Sequence, residues 1–186
     1  RVLSQFLASH DFAGGSGPEA DAPGLAIWAL TESAAYIADP VHDQWLWPHI
    51  LRKAQRIEGM LTARAPLVEP YWIPSPHDFN HGRQTRTALL AQPARDGLIV
   101  GRVGEDWPLL YVNAVSYRGL LAAADFAERL GKRQQAARWR QHARGLEASW
   151  QRQFPTGSPD SVTYPVSLRA LAGSATRRTQ LGQPMT

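Results

Sequence analysis

The chain of 186 residues contains no cysteine. That excludes disulfides and thiolate metal sites, and it leaves the redox compartment open. Lysine is almost missing: Lys53 and Lys132 are the only two among 20 basic residues, and the rest are arginine. No apolar run approaches the ~18 residues that cross a bilayer, so no membrane partner is expected. No basic run stands out either, because the formal net charge of +4 comes from arginines interleaved with acids. The densest group, Arg138, Arg140 and Arg144, suits a solvated helix face. A nucleic-acid partner would want a continuous basic stripe and is not expected. Phosphate loop, nucleophile elbow and dinucleotide fingerprint are all absent, so no cofactor is expected. Arg1 to His10 carries neither a Met start nor a signal-peptide pattern. This tips the expectation towards the cytoplasm and suggests a chain cut from something longer.

What the chain does have is globular material, 44% hydrophobic and 19% charged. Seven tryptophans are a high number for this length. Their rings supply core area, their commonest use, and also faces on which sugars stack.

Helical periodicity organises two stretches. Residues 10–24 have loop composition, after which Leu25, Trp28, Ala29 and Tyr36 follow helical spacing. That helix should stop near Asp39-Pro40, since the residue before proline leaves the α region. A second helix is expected from about Asp43, with Trp47, Ile50, Leu51, Ala54, Ile57 and Leu61 on one stripe. Together they make an α/α hairpin over residues 24–63. A second hairpin spans 110–153: Tyr111 to Leu130, capped by Gly131, then a partner striped by Ala136, Trp139, Ala143, Leu146 and Trp150. In each hairpin an apolar, Ala-rich helix precedes an amphipathic one, the order expected of an inner and an outer helix in a double ring. Between them, residues 64–109 are broken by prolines and read as an irregular loop of the functional kind, with Gly97–Gly101 a short strand or a buried turn. The fold class predicted is all-α. Thr163 to Leu171 would begin a third inner helix.

Specific runs carry a resemblance. Pro23-Gly24-Leu25-Ala26-Ile27-Trp28-Ala29-Leu30, Asp39-Pro40 and Trp47-Pro48 form one set. Tyr111-Val112-Asn113-Ala114-Val115-Ser116-Tyr117-Arg118-Gly119-Leu120-Leu121, Ala127-Glu128-Arg129-Leu130-Gly131 and Ala136-Ala137-Arg138-Trp139-Arg140 form another. Over roughly two-thirds of the chain these resemble the inner-plus-outer hairpins of bacterial six-hairpin glycosidases, the glucosidase and amyloglucosidase-type hydrolases. The resemblance implies α/α hairpins forming part of an (α/α)6 toroid, with a carbohydrate substrate and an inverting glycoside hydrolase activity on glucosides or oligosaccharides. Two hairpins are fewer than six, so the remaining partner would be the rest of the toroid or a second copy. A non-catalytic toroid that binds a sugar or a protein, and a self-contained four-helix domain, are the alternatives.

In such toroids the site lies at the mouth of the inner ring, which selects the Glu19–Asp21 loop and the Gly104–Pro108 loop. The stretch from Gly97-Leu98 to Asp106-Trp107 resembles a glucosidase pattern in which a Gly-Leu turn leads to a tryptophan-flanked general acid, although Val103, Gly104 and Glu105 replace its usual neighbours. Asp106 is therefore the first catalytic candidate and Glu105 the second. As sequence neighbours they cannot be the two carboxyls that flank a scissile bond. Trp107 and Tyr111 would offer stacking faces, Asn113 an amide and Asp21 a sugar-binding acid. Helix-dipole charges, N-capping and packing are the plainer roles for the same residues. Glu32, one turn after Trp28, is expected to pair with an arginine across the ring. His77, Asp78, Asn80 and His81 fit no zinc spacing, so no metal is expected.

Overall fold

Prolines start both of the first two helices. The structure, a computed structural model, describes residues 13–14, 17–71 and 86–153. The expectations for His77, Asp78, Asn80, His81 and Thr163 to Leu171 lie outside the described residues. Helix α1 spans Ala22–Ile37 with Pro23 in its first turn, where the missing N–H has no intrahelical partner to lose. It closes at Ala38, left-handed at φ 51, whose N–H donates to the Ala34 carbonyl at 2.9 Å. Helix α2 then begins at Pro40 and runs to Leu61, capped by the Asp39 carboxylate, which accepts from Val41 N at 2.9 Å. The break at Asp39-Pro40 thus falls as expected, while α2 starts a turn earlier than Asp43.

The second pair is α3, Leu109–Arg129, and α4, Arg133–Gln153. Gly131 links them at φ 71, with its N–H on the Glu128 carbonyl at 2.9 Å and Lys132 N on Ala127 O at 2.8 Å.

Strands interrupt this helical frame and correct the all-α expectation to a mostly helical fold with a small antiparallel sheet. A two-residue ladder pairs β1 (Ala13–Gly14) with β2 (Gly17–Pro18). The stretch 64–109, expected to be irregular, folds β3 (Leu67–Tyr71), β4 (Arg86–Arg95) and β5 (Leu98–Gly101) into a sheet of order β3-β4-β5. The prolines that argued against strands sit where a ladder tolerates them. Pro70 lies on the edge strand β3, and Pro93 falls in the register irregularity between Gln92 and Arg95. The β4–β5 turn is Asp96-Gly97, at φ 53 and 81, the two positive values that a tight hairpin turn demands.

Helices α1 and α3 lie side by side and parallel, with α2 behind α1 and α4 behind α3. Their approach is set by glycine: a Cβ on Gly24 would come 2.6 Å from the Val115 carbonyl oxygen, and one on Gly119 2.8 Å from the Gly24 Cα. Ile27, Leu30, Leu46, Ile50, Ile57, Leu120, Phe126 and Trp139 are fully enclosed between the helices. Behind them the outer helices meet through Trp47 and Trp139, with ring centroids 5.9 Å apart. Buried Glu58 of α2 faces Arg138 at 2.8 Å and His142 at 3.3 Å on α4. Glu32 pairs with Arg118 of the neighbouring helix at 3.7 Å, but at the surface rather than inside. Arg56 bonds Glu69 at 2.8 Å and ties β3 to α2. Among the described residues no helix is long and apolar enough to cross a membrane.

Candidate functional site

Two loops enter α1 and α3 from the same end, and the backbone between β5 and α3 joins them. Gly101 at the end of β5 has no room for a side chain, since a Cβ there would stand 2.3 Å from the Ala20 Cβ. The contact lets Ala20 N donate to Arg102 O at 2.8 Å. Arg102 then spreads its guanidinium over three backbone carbonyls: Leu89 at 2.8 Å, Gly104 at 2.7 Å and Pro18 at 3.2 Å. One side chain thereby links β2, β4 and the loop before α3. The loop itself is a tight turn in which Val103 and Asp106 exchange backbone hydrogen bonds of 3.0 Å, with Gly104 at φ 57. Glu19 completes the junction, its Oε1 accepting from Gly104 N at 2.9 Å.

The two places selected from sequence are therefore one place. Glu105 and Asp106 project from the turn and are solvent-exposed. Trp107 is half-buried and packs against Leu98, Val100, Leu109 and Leu146, which leaves only part of its ring for a ligand. Tyr111, on the first turns of α3, is 42% exposed and hydrogen-bonds Asp21 across the gap between the inner helices.

Asp21 is the unusual group. It stands at the N-cap of α1 yet makes no side-chain cap bond. It is only 6% exposed, and its Oδ1 has no hydrogen-bond partner among the described residues. Burial pushes its carboxyl above the usual aspartate range, the bond from Tyr111 and the backbone N–H groups of Asp21 and Ala22 oppose this in part, and the charge of Glu19 adds to it. Burial likewise raises the Tyr111 phenol, helped by the charge of Asp21.

A carboxyl raised in the fold binds its proton more tightly there than in the unfolded chain. Its contribution to stability is thus present in acid and lost as pH rises from the ordinary aspartate range through the folded value. Asp21→Asn should consequently raise the melting temperature at neutral pH by a few degrees, roughly what 1 kcal/mol gives in a domain of this size. The gain should vanish in strong acid. Thermal melts of both proteins across the acid range check this. An Asp21 that merely capped α1 would give the opposite sign, a loss of stability in Asp21→Asn at neutral pH that fades in acid.

Asn113 has a different job from the one sequence suggested. It is 3% exposed, and its Oδ1 accepts from Ile99 N at 2.9 Å while Nδ2 donates to Ile99 O at 2.9 Å and Leu109 O at 2.8 Å. The amide acts as the next strand for the open edge of β5, so both of its donors are spent inside the protein. Beside it, a cavity of about 200 Å³ between α3 and α4 is walled by Leu110, Ala114, Tyr117, Leu146 and Trp150, with Glu147 at its edge. A wider hollow of about 580 Å³ is bordered by Leu61, Thr62, Gly97, Arg138, His142 and Ser149.

Sequence reasoning missed Arg102. An exposed arginine is the default expectation, but one set between Gly101 and Gly104 right after an apolar strand is a signal that backbone carbonyls lie close by. Among the described residues no group of three or more His, Cys, Asp or Glu could hold a metal ion. The chain matches no family model, no curated protein and no solved structure.

Proposed function

We propose that the protein is a glycoside hydrolase, inverting in stereochemistry, acting on glucosides or oligosaccharides. The observation that carries this is the joined pair of loops at the heads of α1 and α3. They gather Glu19, Asp21, Glu105 and Asp106 at one end of two parallel helices, with Tyr111 and part of Trp107 beside them. Glycoside cleavage needs carboxyl groups in unlike environments, one holding a proton and one able to take a proton from water. A buried acid next to exposed ones meets that need.

The hairpins support a place in an (α/α)6 toroid. Helix α1 is apolar on nearly every side and still exposes Trp28 at 46% and Tyr36 at 91%. A helix of that composition is ordinarily covered all round. The remainder of the toroid, or a second copy, would supply the cover.

Incubation of the full-length protein with α- and β-glucosides and oligosaccharides, followed by proton NMR of the first-formed sugar, tests the proposal. Release of a sugar of inverted anomeric configuration is expected. No turnover, or retention, would reject it. Binding without turnover in the same samples would favour a sugar-binding toroid.

A further inference from the structure

We propose that the hollow bordered by the end of α2, the β4–β5 turn and α4 binds a phosphorylated sugar or polyol, with Arg138 taking the phosphate. This site stands apart from the hydrolase reading, since it shares no residue with the carboxyl-bearing junction at the heads of α1 and α3. Its volume of about 580 Å³ falls in the ordinary range of small-molecule sites, about 300–1,000 Å³. Among the described residues no acid borders it, whereas Thr62, Arg138, Gln141, His142 and Ser149 all do. The junction gathers four acids; here the chemistry is reversed.

Buried Glu58 fixes the arginine. Its Oε1 stands 2.8 Å from Arg138 Nε and 3.3 Å from His142 Nε2, so one carboxylate holds two neighbouring side chains of α4. The contact uses the Nε edge of the guanidinium. Its terminal nitrogens make no hydrogen bond among the described residues, and the side chain is 60% exposed. The result is a preset fork whose open edge matches the geometry of an oxyanion. Gln141, three residues on, adds an amide donor on the same side of the helix. Three nitrogens then meet the three oxygens of a phosphate monoester, where a carboxylate offers two.

The rest of the hollow suits a hydroxylated body. Arg138, His142, Gly145 and Ser149 follow one another at spacings of four, three and four, which makes one stripe of about 16 Å along α4. Gly145 leaves the middle of the stripe open, since a Cβ there would meet nothing within 4 Å. Thr62 Oγ1 donates to the Glu58 carbonyl at 2.9 Å and keeps its lone pairs for a ligand hydroxyl. Ser149 Oγ, which accepts from Arg152 at 3.0 Å, keeps its proton to donate. The surrounding charge favours an anion: α4 carries five arginines against one acid, Glu147.

Calorimetric titration of the full chain at low salt tests this, with glucose 6-phosphate, inorganic phosphate, glucuronate and glucose as probes. Glucose 6-phosphate should bind at least about tenfold more tightly than each of the others, the step expected from one hydrogen-bonded charge or one set of hydroxyl contacts. Arg138→Lys keeps a positive charge opposite Glu58 but loses the fork, and should weaken that binding by about 10- to 100-fold. Gly145→Leu fills the open stretch without touching the Arg138–Glu58 pair, and should weaken binding by a similar factor without lowering the melting temperature. Arg144→Gln removes an exposed charge outside the stripe, so the change there should stay under about threefold. Glu58 is buried, so thermal melts accompany each titration, and Gly145→Leu decides the matter should Arg138→Lys fail to fold. No binding of glucose 6-phosphate, an affinity unmoved by both Arg138→Lys and Gly145→Leu, or an equal loss in Arg144→Gln would overturn the proposal. Glucuronate bound as tightly as glucose 6-phosphate would overturn the choice of phosphate.

Discussion

Replacing Asn113 with leucine is expected to destabilise the protein by about 2–5 kcal/mol, the penalty for leaving two or three buried backbone groups unpaired. Leucine nearly matches asparagine in shape, so little of that loss would come from packing. What disappears is the match between one amide and both polar groups of Ile99, itself fully buried on the open edge of β5. The Leu109 carbonyl also loses a donor, though it keeps its place in the helix ladder. Asn113→Asp should be at least as harmful, because a carboxylate can accept from Ile99 N but cannot donate to Ile99 O, and its charge would be buried. Denaturant unfolding of both variants, with hydrogen exchange at Ile99, provides the measurement. An Asn113 that served only a bound sugar would leave the unfolding midpoint where it was.

The second large effect is expected at Gly119. A Cβ there meets the Gly24 Cα at 2.8 Å and the Gly24 carbonyl oxygen at 3.2 Å. Both are backbone atoms of α1 and cannot swing aside as the tip of a side chain could. Gly119→Ala should cost about 1–3 kcal/mol by overpacking, and Gly119→Val more. Gly145→Ala is the contrast, since a Cβ at that helical position meets nothing within 4 Å. It should stabilise by about 0.4–1 kcal/mol through a less flexible unfolded chain. Forcing α1 from α3 would also lengthen the bond between Asp21 and Tyr111, a bond that opposes the rise of the carboxyl, so Gly119→Val should widen the pH-dependent gap between Asp21→Asn and its parent. Thermal melts of the four single and double variants, at neutral and acidic pH, separate the two effects.

The four helices were legible because their periodicity, proline starts and glycine cap are local. Asp39-Pro40 and Gly131 each hold the chain by bonds to residues within a few positions. The sheet was hidden by prolines whose acceptability depends on which strand is the edge and where the register slips, neither of which is local. One signal was available: Asp96-Gly97 between two apolar runs is a strong short-range hairpin mark. The two loops before the inner helices were recognisable, and Asp21 and Tyr111 were both among the candidates. Their union was not, because it depends on Arg102 and on the missing side chain of Gly101, contacts more than 80 residues apart in sequence. Asn113 shows the reverse error. An amide near a helix head looks available until the strand that consumes it is known.

The parallel course of α1 and α3 has an electrical consequence. Each helix carries the equivalent of about half a positive charge at its first turn, and side-by-side alignment sums two of these at one end. Acids collected there stand in a favourable field, to which the chain's net charge of +4 adds. That field would soften the repulsion among the neighbouring carboxylates. An antiparallel pair of the same helices would have set one positive and one negative pole beside the same four acids, a much poorer support for them.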